Sequence, residues 1–175
     1  MSIPKRVQRS SGFQYRSYRS RSAGRRVAGL PPEGPWSTEP DEVRWIDART
    51  DLACVVSRNY WGAWCGYVAV TSSHPFCGRE RSTINGIVVH GDLTYSGFSG
   101  PWDERAKGDG APVLASSGYW LGFDCMHIYD GDLIPSRLSA PGAPAVDRNA
   151  VYRDLTFAIR EVESLAQQLA DQTAP

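Results

Sequence analysis

The 175-residue sequence has no apolar run approaching the about 18 residues that a membrane-spanning helix requires, which excludes a helical membrane protein. No apolar stretch follows its basic beginning, so nothing in it reads as a signal peptide, and a cytoplasmic setting is expected. It lacks a glycine-rich phosphate loop at any strand-to-helix turn, which argues against a nucleoside triphosphatase or a dehydrogenase. Its four cysteines, Cys54, Cys65, Cys77 and Cys125, include no pair two residues apart. Zinc-ribbon and thioredoxin spacings are therefore absent, and free thiols are expected. Histidine is scarce, with only His74, His90 and His127.

What is present fits one globular domain: 41% hydrophobic, 22% charged and 11% aromatic residues. The formal net charge of zero hides an asymmetry, because residues 1–32 carry +8 and no acid, while the remainder carries −8. Arg16, Arg19, Arg21, Arg25 and Arg26, interleaved with Phe13, Tyr15 and Tyr18, suit phosphate neutralisation and base stacking. The same arm could lie on its own acidic domain or act as a targeting segment. The Pro/Gly stretch at 30–35 ends it, so residues 1–35 form a basic arm with its linker and residues 36–175 a single domain.

Within that domain, alternation and β-branched or aromatic enrichment predict strands at 43–46, 53–56, 64–71, 84–89 running on to 93–95, and 119–125. Residues 72–82 and the Gly/Pro-rich 96–112 read as loops. Val151, Leu155, Ala158, Ile159, Val162, Leu165, Ala166 and Leu169 recur at helical spacing, which predicts a helix over 149–170 capped by Asp147 or Asn149. The expected architecture is α+β: a largely antiparallel sheet with one long C-terminal helix across a face.

The candidate chemistry lies where strands run into loops. In Gly122-Phe123-Asp124-Cys125-Met126-His127-Ile128-Tyr129-Asp130, an extended backbone puts Cys125 and His127 on one face and Asp124 on the other. If the His90 strand is a neighbour, His90, Cys125 and His127 form a nitrogen and sulfur set that suits zinc with one position open for water. Asp92 or Asp130 could then act as general base or orient a ligand. A rival mechanism makes Cys125 a nucleophile activated by His90 or His127. A purely structural alternative has Cys125 in the core, His127 bonded to a loop carbonyl and Asp124 capping a turn. His74, before Pro75, is expected to order its loop. Trp102, in the polar loop, is expected to be partly exposed, where it could stack on a base or close a small-molecule site.

Taken in order, Cys65-Gly66-Tyr67-Val68, His74-Pro75, Val89-His90-Gly91-Asp92-Leu93-Thr94-Tyr95, Gly122 to His127 with Asp130, and Tyr152-Arg153-Asp154-Leu155 resemble a group of small uncharacterised proteins of bacteriophages and bacteria. The resemblance spans about residues 60–165 and leaves out the arm. Asp92 stands where those proteins usually have a second glycine. The resemblance implies a phage or prophage setting, with the protein in the host cytoplasm or in a virion; it marks these positions and supplies no reaction. Two functions are therefore expected to compete. One is an accessory hydrolase, dependent on zinc or a thiol, with a small-molecule substrate. The other is a non-catalytic protein that binds a host protein, a nucleotide or nucleic acid through its arm, or a virion component.

Overall fold

The computed structural model describes residues 34–59, 61–98, 118–127, 131–135 and 149–173, together with the backbone of 16–18. The expected α+β architecture is what it shows. Six strands, β1 (Arg16–Tyr18), β2 (Glu42–Ile46), β3 (Ala53–Arg58), β4 (Trp64–Val70), β5 (Tyr95–Gly97) and β6 (Tyr119–Asp124), form one sheet in the order β1-β2-β3-β4-β6-β5. Every neighbouring pair is antiparallel. Part of the basic arm thus serves as an edge strand, with Arg16 opposite Arg44. The Arg16 side chain, Arg19, Arg21, Arg25, Arg26, Trp102 and Asp130 lie outside the described residues.

Every residue of β3 and β4 is buried, which explains why their sequences read as continuous apolar runs rather than clean alternations. On one face, Val43, Trp45, Cys54, Val56, Val68, Leu121 and Phe123 meet the apolar stripe of a helix, α1 (Leu155–Asp171). On the other, Val55, Cys65, Tyr67, Ala69 and Trp120 form a second cluster. The helix lies against β4 and β3, and Gly66 lets it come close. A Cβ at Gly66 would stand 2.4 Å from a Val162 methyl and 2.5 Å from the Phe123 ring.

The helix starts later than expected. Its N-cap is Asp154, whose side chain accepts from the Phe157 N–H at 2.7 Å, and Val151 lies outside it and half-exposed. Asn149 does not cap it, because the chain just beyond is held in a bridge between Val151 and Asp132, and Asp147 lies outside the described residues. A second carboxylate reaches the same terminus from afar: Glu39 Oε1 accepts from the Leu155 N–H at 2.8 Å. The other Glu39 oxygen accepts from the buried Arg58 guanidinium and from the Tyr152 hydroxyl. Arg58 also donates to Tyr152 at 2.8 Å and to the Gly62 carbonyl at 2.7 Å, and its guanidinium lies 4.1 Å from the Trp64 ring. Burial raises the Tyr152 hydroxyl above its ordinary pKa, so it stays a neutral donor.

Residues 84–89 are not a strand. The place beside β6 is taken by β5, so this segment leaves the sheet and runs along α1. There the Gln168 side-chain amide substitutes for a neighbouring strand, accepting from Val88 N at 2.7 Å and donating to Val88 O at 2.8 Å. His74 orders its loop as expected. Its Nδ1 accepts from Phe76 N at 3.0 Å, so Nε2 carries the proton and donates to Leu169 O at 3.0 Å.

Removing Glu39 leaves the Arg58 charge buried without its carboxylate, whereas removing Asp154 costs one exposed cap. E39A should therefore lower the urea-unfolding free energy by about 3–5 kcal/mol and D154A by about 1 kcal/mol. Equal losses would show that Glu39 acts only as a cap.

Candidate functional site

Three segments far apart in sequence meet beside the N-terminal half of α1. The first is the turn at 89–92, closed by Asp92 N donating to Val89 O at 3.1 Å. Gly91 occupies its third position with φ +64, the left-handed backbone that a type II turn demands there. A side chain is excluded as well, since a Cβ on Gly91 would stand 1.8 Å from His127 Nε2. Glycine at 91 therefore lets the His90 turn close over the His127 ring. Glu161 of α1 fixes the turn by accepting from His90 N at 2.9 Å.

The second segment carries Asp124 to His127 out of β6. Cys125 continues the ladder, its N–H donating to Trp64 O at 2.8 Å, and its side chain lies in the helix-facing core. Burial, reinforced by the nearby Cys65 and by the Asp132 and Asp124 carboxylates, pushes its thiol well above the ordinary value. Such a thiol is a packing group, not an activated nucleophile. Asp124 Oδ1 accepts from Met126 N at 3.0 Å, capping the turn that leads to His127. His127 Nε2 bonds the Asp124 carbonyl at 2.8 Å, which leaves the lone pair on Nδ1.

The third segment supplies the residue that the sequence reading does not single out. Asp132 is buried at the end of a short bridge to Val151, and its side chain is wholly shielded from solvent. Oδ2 accepts from His90 Nε2 at 2.7 Å and from His127 N at 3.4 Å, and Oδ1 accepts from Arg153 Nε at 2.9 Å. Burial alone would raise its pKa, but the hydrogen bonds from His90 and Arg153 outweigh that and hold the carboxyl below its ordinary value. The His90 ring stands edge-on to the rings of His127, at 5.1 Å, and Phe157, at 5.3 Å.

Among the described residues, His90, His127 and Asp132 form a group that can hold a metal ion, with one donor atom from each lying within 4.8 Å of the others. Asp132 thus takes the place that the sequence reading gives to Cys125, whose thiol is committed to the core. Asp92 is exposed on the turn with φ +64 and stands outside this group. The donor set suits a divalent transition ion. Zinc is held by imidazole and carboxylate at about 2.0–2.2 Å, with a fourth position left to water. The surroundings suit it too, because ligand histidines characteristically donate their second nitrogen to a carbonyl or carboxylate, as His127 does to Asp124 O.

The chain matches no protein-family model, no curated protein and no solved structure. No helix among the described residues is long and apolar enough to cross a membrane.

Two outcomes follow from this geometry. Both G91A and G86A force alanine into positive φ, but the space at Gly86 is open, so G86A should cost about 1 kcal/mol. G91A, which also displaces the His127 ring, should cost clearly more in urea unfolding, and equal losses would contradict the packing described. Because the Asp132 pKa is depressed on folding, its contribution is complete above the unfolded value near 4 and is lost as pH falls below it. The stability gap between wild type and D132N should therefore be about 2–3 kcal/mol at pH 7 and shrink between pH 5 and pH 3. A gap independent of pH would show that the carboxylate charge is not what binds the segments.

Proposed function

We propose that the protein is a metal-dependent hydrolase, of the accessory kind that the resemblance to phage proteins suggests, with zinc held by His90, His127 and Asp132. The observation that carries this reading is the convergence of two imidazoles and one buried carboxylate. The carboxylate is already divided between the two tasks such a centre requires. Oδ1 is anchored by Arg153 and Oδ2 faces the histidines, which is the arrangement of a ligand oriented by an outer hydrogen bond. Three protein ligands would leave a position for water, and a bound metal would make that water easier to deprotonate near neutral pH. Water activated in this way would supply the oxygen that bonds to the electrophilic carbon or phosphorus of the substrate, while the bond to the leaving group broke and that group took up the proton the water gave up.

Elemental mass spectrometry of protein purified without added metal or chelator should give about one zinc per chain. H127A and D132A should lose it and C125S should keep it. Hydrolysis of model esters should follow the same pattern and stop with a chelator. Zinc retained in D132A, or lost only in C125S, would overturn the ligand set, and the absence of zinc from the wild type would overturn the reading as a whole.

A further inference from the structure

We propose that the substrate of this centre is a phosphoryl compound and that Arg153 binds its phosphate oxygens; the inference rests on the metal-hydrolase reading above. Arg153 approaches Asp132 with Nε alone, at 2.9 Å from Oδ1. Its guanidinium lies over the Phe157 ring, 4.8 Å from the centroid, and the same ring stands edge-on to His90 at 5.3 Å. The plane of the guanidinium is thus set by the two groups that also position His90. Its side chain is 27% exposed, and among the described residues its terminal nitrogens take no partner. A rigid fork of donors, largely shielded from solvent and placed beside the candidate metal ligands, is the arrangement that recognises an oxyanion bidentately.

The number of oxygens favours a tetrahedral oxyanion over a carboxylate, and among these the higher charge of a phosphate monoester suits a guanidinium beside a metal site best. A phosphoryl group has three outer oxygens and can give one to the metal and two to the guanidinium at once. A carboxylate has two and must forgo one of these contacts. A neutral ester or amide would leave the partly buried donors of Arg153 unanswered, which costs affinity wherever a site is built to hydrogen-bond. With a metal bound, water would supply the oxygen that forms the new bond to phosphorus, the phosphorus–oxygen bond to the alcohol would break, and the alcohol would take the proton that the water gives up. Arg153 answers the charge on the phosphoryl oxygens throughout.

The test is calorimetric titration of the zinc-loaded full-length protein with inorganic phosphate, and in parallel with acetate, on wild type, R153K and R153Q, with zinc content measured for each. Phosphate should bind the wild type more tightly than acetate does. Its affinity should fall at least tenfold in R153Q and by less in R153K, with zinc retained in both. Unchanged phosphate affinity in a zinc-bearing R153Q, or acetate binding as tight as phosphate, would overturn the proposal. If R153Q does not fold, R153K decides, since it keeps the charge and loses the fork, and unchanged affinity there would count against Arg153. If the wild type takes up no zinc, the metal reading fails by itself. The same titration on metal-free protein then judges Arg153: phosphate binding weakened in R153Q more than in R153K sustains the assignment, and binding that is absent from the wild type or unchanged in both variants removes it.

Discussion

The buried carboxylate of Asp132 is the point on which the site depends. A carboxylate without solvent must find donors, and this one draws them from three directions: the ring of His90, the backbone of His127 and the guanidinium of Arg153. Each donor belongs to a different stretch of chain, so satisfying one charge fixes the relative positions of a turn, a strand end and the approach to a helix. The depressed pKa reports the same fact as an energy, because the ionised form is the one that the fold stabilises.

A second, partly buried carboxylate does for the helix what Asp132 does for the site. Glu39 meets Arg58, Tyr152 and the first helical N–H, joining the segment before β2 to the end of β3 and to the start of α1. The short word Tyr152-Arg153-Asp154-Leu155 holds both arrangements together. Tyr152 faces Glu39, Arg153 faces Asp132, Asp154 caps the helix and Leu155 begins its buried stripe. Helix register and site geometry are therefore coupled: α1 cannot slide without disturbing the carboxylates at its beginning, nor without losing the hold of Glu161 on the His90 turn.

Much of the fold is legible in the sequence because its signals are local. The apolar runs of β3, β4 and β6 and the three- and four-residue spacing of α1 record burial directly. The segment at 84–89 misleads because its extended, β-branched sequence satisfies its backbone from a glutamine side chain 80 residues on, which no local pattern encodes. The helix start misleads for a related reason, since Asp154 is chosen over Asn149 by the bridge that holds Val151 against Asp132. In the site, His90 and His127 stand out by rarity and by position at the ends of strands. Asp132 does not, because an aspartate after glycine reads as turn chemistry. Its burial arises only when the chain returns at 149–153. Cys125 draws attention by residue type, yet strand alternation already turns it toward the helix-facing core together with Leu121 and Phe123.

Chemically, the exchange of Cys125 for Asp132 matters because it changes the donor set from nitrogen and sulfur to nitrogen and oxygen. The carboxylate adds a negative charge that a neighbouring arginine partly answers, and it leaves the thiol to the core. The zinc K-edge X-ray absorption spectrum of the loaded protein tests this most directly. The account predicts a first shell of nitrogen and oxygen alone at about 2.0–2.2 Å, with the outer scattering of two imidazoles. A sulfur contribution at about 2.3 Å, or a shell with fewer than two imidazoles, would contradict it.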